Sequence, residues 1–355
     1  MNGDARPDVR SLTKSDLEHF LSCHGEKKFR ADQVYAWLWK EAVHSFEGMT
    51  NLPAATRKLL ADHFSFPAAI PEIRRHSSDG TVKTGFRLYD GLMVEGVLIP
   101  SGSRATACIS SQVGCAIGCA FCATGQIGFY RNLTAGEIFD QVTGIDPTPG
   151  PSPQREGRKL SNIVFMGMGE PLLNYSNVMA AITKITSHDG LGMSPQRITV
   201  SSIGIPKMIR TMADDDPKFH FALSLHAATD AKRNRIIPFN LRHPLPELAE
   251  SLKYYHKKTG RRFTVEYILF GGFNDTLTDA KELALFCRNF PVKVNIIAYN
   301  PVAGAGYKES SAAAKKAFVE YLEGRNMVVN VRLSRGTDIE AACGQLAGKP
   351  AGTRP

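Results

Sequence analysis

Three cysteines lie within eight residues, in the run Cys115-Ala116-Ile117-Gly118-Cys119-Ala120-Phe121-Cys122. A C-x3-C-x2-C loop presents three thiolates from one short turn, and soft thiolates select zinc or iron–sulfur centres. Structural zinc takes four ligands, and four-thiolate clusters take four cysteines. No fourth Cys or His stands near in sequence. Three protein ligands on a four-iron cluster leave one iron open to something else. The competing reading is a partial zinc knuckle or a group of buried thiols. With Cys23, Cys108, Cys287 and Cys343 these three complete the seven cysteines of the chain. Cys23 and Cys287 fall in helical apolar patterns and read as small buried hydrophobes. Cys343 lies between Gly336 and Gly344, and glycines let backbone approach a site closely.

The loop needs a scaffold, and the pattern after it supplies one. Buried-type strands are predicted over 162–166, 198–201, 219–225, 263–269 and 292–298. Helical periodicity fills 175–187, 205–213, 245–258, 278–289 and 311–323. Thr134-Ala-Gly-Glu137 has the form of a capping box for one more helix. With a strand ending near Ser111 there are six strand–helix units, hence a parallel sheet. Six units suit a partial (βα)6 barrel better than a closed eightfold one. Polar or glycine-rich residues follow five strand ends: the cysteine loop, Gly167-Met-Gly169-Glu170-Pro171, Ser201-Ser202, Ser224-Leu225-His226 and Tyr299-Asn300-Pro301. Barrel active sites form at that rim.

Ahead of the loop, residues 12–65 read as small helices, opened by a Thr13…Asp16 capping box and, for the third, by Asn51-Leu-Pro53. Lys27, Lys28, Arg30, Arg57 and Lys58 make this module basic. From 70 to 111 the period changes to two, with Asp79-Gly80 and Asp90-Gly91 as hairpin signals. Glu95 is an acidic residue in one of these apolar strands, a position that usually points to solvent. The expected organisation is a helical module at 1–70, a β-hairpin linker at 71–100, the barrel at 101–336 and a terminal segment at 337–355. The Pro-rich run at 147–159 reads as an exposed insertion.

The formal charge of +9 suits an RNA-binding protein and equally a merely basic enzyme. No apolar run has membrane-spanning length, and the polar start lacks a signal-peptide core. A cytoplasmic location is the expectation, and an odd cysteine count fits a reducing compartment.

Taken together, MTNLP (49–53), VEGVLIP (94–100), CISSQVGCAIGCAFCATGQIGF (108–129), RNLT (131–134), GMGEPLLN (167–174), SLH (224–226) and DIEAACGQLAG (338–348) resemble the RlmN/Cfr family of radical S-adenosylmethionine (SAM) RNA methyltransferases. The resemblance runs from about residue 12 to 349 and leans to the RlmN branch. The insertion at 147–159 and the short tail after Gly348 depart from the family pattern. It implies methylation of adenine C2 in 23S rRNA and at tRNA adenosine-37, with two SAM per turnover. The alternatives are a Cfr-like C8 methyltransferase of 23S rRNA and a non-catalytic zinc-containing RNA-binding protein.

The resemblance implies roles as well. Cys115, Cys119 and Cys122 would hold a [4Fe–4S] cluster. Gly169, Glu170, Ser201, Ser224, Leu225, His226 and Asn300 would contact SAM. Cys343 would accept a methyl group, a second SAM would be cleaved to a radical, and the resulting methylene radical would add to the base. Glu95 would act as general base. Cys108 would attack Cys343 sulfur and release the product. The expected state is a monomer, and the expected partners are 23S rRNA, tRNA and a reducing electron donor such as flavodoxin.

Overall fold

The computed structural model describes residues 6–145 and 160–348. The Pro-rich run at 147–159 lies outside the described residues.

Local rules start the chain. Thr13 Oγ1 accepts from the Asp16 amide at 3.1 Å, and the Asp16 carboxylate accepts from the Thr13 amide at 2.8 Å. This reciprocal cap opens α1 (Lys14–Cys23). Helices α2 (Phe29–Trp39) and α3 (Ala54–His63) follow, α3 directly after Pro53. Leu17, Leu21, Val34, Leu38 and Leu60 are buried between the three.

Three antiparallel strands come next: β1 (Ile70–His76), β2 (Val82–Arg87) and β3 (Met93–Ser101). Strand β4 (Arg104–Cys108) pairs antiparallel with β3, placing Val97 opposite Cys108. The predicted hairpins therefore continue directly into the barrel sheet. A small ribbon joins β5 (Gln112–Gly114) to β6 (Phe129–Asn132), with a single helical turn α4 (Ala123–Gln126) between. Helix α5 (Ala135–Ile145) starts at the predicted Thr134–Glu137 box.

From there strand and helix alternate: β7 (Leu160–Phe165), α6 (Tyr175–Thr186), β8 (Ile198–Ser202), α7 (Pro206–Asp215), β9 (His220–Ser224), α8 (Asp230–Ile236), α9 (Leu245–Thr259), β10 (Phe263–Leu269), α10 (Leu277–Cys287), β11 (Val292–Ala298), α11 (Ala312–Glu323) and β12 (Val328–Arg332). The ten-stranded sheet runs β1-β2-β3-β4-β7-β8-β9-β10-β11-β12. Everything from β4 onward is parallel. The six predicted units are present, and β12 is a further parallel strand that the pattern did not reveal. It pairs on one side only, and Val328 and Val331 are exposed. An edge strand with uncovered side chains carries little apolar alternation to read.

The helical module is fastened to the barrel through α5. Arg10 is buried and its Nη1 stands 2.7 Å from Asp140 Oδ1. The other Asp140 oxygen accepts from the Ala69 amide at 2.9 Å. Removing one partner of such a pair leaves an uncompensated buried charge, which costs more than the pair contributes. The Trp39 and Phe139 rings meet edge to face at 5.2 Å. Among the described residues no helix is long and apolar enough to cross a membrane.

One expectation about the cysteines is corrected here. Cys287 is buried on α10, but Cys23 is exposed at the end of α1, its sulfur 3.8 Å from His19 Nε2. Cys23 is the last residue of α1, and its side chain stays exposed there.

Candidate active site

Sterics shape the cysteine loop. Gly114 has φ +73°, and a Cβ there would fall 1.9 Å from the Gly128 carbonyl oxygen. The Cys115 amide donates to that carbonyl at 2.8 Å. Only glycine permits so close an approach. The far side of the loop is stapled to the terminal segment. The Ala123 amide donates to the Gly344 carbonyl at 2.8 Å, and Thr124 Oγ1 to the Leu346 carbonyl at 2.6 Å. These two bonds bring Cys343, remote in sequence, to the edge of the cysteine loop.

Cys115, Cys119, Cys122 and Cys343 line one cavity together with Gly169, Glu170, Ser201, Ser224 and His226. It encloses ≈ 890 Å³, open mouth included. Burial pushes the Cys115 thiol up to about 12, and burial plus the neighbouring sulfurs push the Cys119 thiol well up too. Such thiols keep their protons until a cation replaces them, so metal loading releases protons. Among the described residues no three His, Cys, Asp or Glu side chains stand close enough to clasp one metal ion. The fit to a cluster rests on three soft donors spread around one roomy cavity.

The other rim residues are fixed by their neighbours. Gly169 has φ +96°, and a Cβ would meet Gln112 at 2.5 Å. Glu170 is buried, and burial raises its pKa against the pull of its hydrogen bonds. One carboxylate oxygen accepts from the Leu172 amide and the other from the Ile203 amide, each at 3.0 Å. It thereby ties two rim turns together. Ser201 and Ser224 Oγ atoms lie 3.1 Å apart on neighbouring strands.

His226 sits at φ +57°. Its Nδ1 accepts from the Ile268 amide at 3.1 Å, which places the proton of the neutral ring on Nε2. Burial, with Arg233 nearby, lowers its pKa to about 3. An unfolded histidine takes its proton near the ordinary value, whereas the folded one refuses it down to about 3. Stability is therefore expected to fall as pH drops through that window, by at most about 1.4 kcal/mol per pH unit. Denaturant unfolding of wild type and His226→Asn at about pH 7 and about pH 5 measures it, and the variant should show the shallower acid loss. Equal losses would remove His226 as the cause.

Two expected SAM residues stand apart from this cavity. Leu225 is fully buried, and its amide is spent on the Glu266 carbonyl at 3.1 Å. Asn300 lines an adjoining cavity with Cys108, Met166, Arg332 and Cys343, and donates to the Cys343 carbonyl at 3.3 Å. Cys343 lines both cavities, so it stands open to solvent although protein surrounds it. Cys108 is buried, and burial with the Cys343 sulfur pushes it up to about 12. Both are free thiols.

Glu95 is half-buried rather than turned to solvent. Lys83 Nζ lies 3.4 Å from Oε1, and the Ala347 amide donates to Oε2 at 2.9 Å. Its carboxylate lines a third cavity with Lys83, Glu340 and Gln345, and fastens the terminal segment to β3.

Sequence reasoning passed over Glu266 and Arg332. Glu266 is buried, lines the main cavity, and accepts from Asn295 Nδ2 at 2.9 Å. A carboxylate inside an otherwise apolar strand was the available signal. Arg332 lies on the strand that went unread.

Residues 8–65 match the ribosomal RNA large subunit methyltransferase N-terminal domain, and residues 109–287 match the radical SAM superfamily. The chain is 50% identical over 348 residues to a protein from Christiangramia forsetii named as a probable dual-specificity RNA methyltransferase RlmN, with 98% of each chain covered. It is 43% identical to a dual-specificity RNA methyltransferase RlmN from an Anaeromyxobacter species, covering 97% of this chain and 91% of that one. A crystal structure of a radical SAM methyltransferase from Sphaerobacter thermophilus superposes with TM-score 0.89 at 39% identity, over 97% of this chain and all of that one.

Proposed function

The chain belongs to the RlmN family of radical SAM RNA methyltransferases, and from that premise we propose that Cys343 and Cys108 together carry a methyl group to adenine C2 in 23S rRNA and tRNA. When bound, the [4Fe–4S] cluster and SAM of this family supply the electron, the methyl group and the carbon radical that the reaction needs. Cys115, Cys119 and Cys122 would hold the cluster. Ser201, Ser224, His226 and the Gly169–Glu170 turn line the place for SAM, and Asn300 holds the backbone of Cys343.

The adenine C2–H is not acidic and its carbon is electron-poor, so a direct nucleophilic transfer fails. A thiolate is a competent methyl acceptor once its proton has left. Cys343 fills this role at the edge of the cluster loop. The unpaired electron of the radical base adduct would return to the electron acceptor that the bound cluster supplies, and Glu95 takes the proton lost from that adduct. Because its oxygens hold Lys83 and the Ala347 amide, this role couples base action to movement of the terminal segment. Cys108 then attacks Cys343 sulfur. A sulfur–sulfur bond forms, the bond from Cys343 sulfur to the RNA-borne carbon breaks, and that carbon keeps the electron pair and takes a proton. External thiols reset the pair.

The observation that carries this reading is one cavity lined by both free thiols, entered by Cys343 from the cluster side. The charge of +9 supports an RNA partner. A monomer in a reducing cytoplasm, with a donor such as flavodoxin, completes the proposal; the odd cysteine count supports the reducing compartment. Mass spectrometry of nucleosides from treated rRNA and tRNA tests the regiochemistry. 2-Methyladenosine is expected in both, and 8-methyladenosine would move the protein to the other branch.

A further inference from the structure

The cavity that Cys108 and Cys343 share has a cation in its wall. Arg332 ends β12, and its side chain, 36% exposed, lines this cavity. Its Nη1 lies 3.5 Å from Glu266 Oε2 and 3.7 Å from Met166 Sδ. Among the described residues nothing partners its Nε or Nη2. Arg335 also lines this cavity, but its guanidinium lies 3.9 Å from Asp79. Arg332 is thus held by one nitrogen, with its other donors unspent beside two thiols.

The chemistry needs an anionic sulfur twice, at different times. Cys343 must be a thiolate to take the methyl group, and Cys108 must be one to release the product. The two are never required as anions together, so one fixed cation can serve both. We propose that Arg332 is the positioning residue for this pair, its free N–H donors meeting whichever sulfur carries the charge. The inference rests on the two-cysteine reading above. Glu266 is the anchor: Asn295 fixes one of its oxygens and leaves the other for Arg332. The same guanidinium pulls both thiol pKa values down against burial.

A charge test separates this role from mere support of the fold. Intact, cluster-loaded protein is alkylated with iodoacetate, an anion, or iodoacetamide, which is neutral. Peptide mass spectrometry then reads the ratio of the two rates at Cys343, with exposed Cys23 as internal reference. A cation beside the sulfur should raise the Cys343 ratio roughly fivefold over that at Cys23. Arg332→Gln should abolish the excess and Arg332→Lys should keep most of it. The double variant Arg332→Gln/Glu266→Gln, which leaves no unpaired buried charge, should also abolish it. With RNA and SAM, Arg332→Gln should further prolong the protein–RNA adduct, and Arg332→Lys should not.

An excess absent from wild type, or surviving in both Gln variants, overturns the proposal. So does a loss of SAM affinity in Arg332→Gln with the alkylation ratio unchanged. The alkylation readout needs no methyl transfer, so its failure is distinct from failure of the two-cysteine mechanism.

Discussion

Alanine at Cys115, Cys119 or Cys122 is expected to strip the protein of iron and sulfide and to stop SAM cleavage. In the proposed assignment each thiol is one of three protein ligands to the cluster, and two ligands cannot hold a four-iron cluster against chelation or oxidation. Turnover should fall on the order of a thousandfold or more, because the parts of such a site act as a unit. The fold should survive. The Gly114 turn, the Ala123–Gly344 bond and the Thr124–Leu346 bond do not involve the three sulfurs. Iron and sulfide assays with the visible spectrum check the first outcome, and circular dichroism the second. Full cluster content in any of the three variants would sink the assignment.

Cys343→Ala should be as inactive while keeping its cluster. Methyl transfer should again fall on the order of a thousandfold or more, the loss seen when an essential nucleophile is removed. Mass spectrometry of the terminal peptide should find a methyl group on Cys343 in the wild type and none in the variant. Iron content separates this failure from that of the cluster variants. The segment holds its place through backbone and other side chains. Ser77 Oγ donates to Asp338 at 2.6 Å, Lys83 to the Glu340 carbonyl at 3.0 Å, and Gln345 to the Pro301 carbonyl at 3.0 Å. Loss of activity therefore reports on the sulfur rather than on a detached segment.

Much of this site was readable in the chain because the signals were local. Capping boxes at Thr13 and Thr134, strands at 263–269 and 292–298, and the cysteine spacing each follow from neighbours a few residues apart. What went unread depends on long-range pairing. β12 exists because β11 offers it an edge, not because its own side chains alternate. Arg332 went unnoticed with it. Glu95 reads as a solvent residue until Lys83 and the Ala347 amide arrive from elsewhere. Leu225 and Asn300 followed their motifs to the rim, yet one faces the core and the other the neighbouring cavity. Strand ends mark where a rim is; the packing behind them decides which way each side chain turns. Cys23 shows the same limit, since helical periodicity identifies a face without showing how far its neighbours extend.

The two isolated cysteines carry the central claim, and a denaturing gel tests it. Cys108→Ala can still take the methyl group on Cys343 and join it to the base, but it lacks the thiol that breaks the link. Incubated with RNA, SAM and reductant, it should run as a shifted band that nuclease collapses. Adding Cys343→Ala should remove that band. This outcome does not depend on which carbon of adenine is attacked, because release from sulfur is common to both. Normal turnover by Cys108→Ala, or an adduct that persists without Cys343, would contradict the two-cysteine mechanism for this protein.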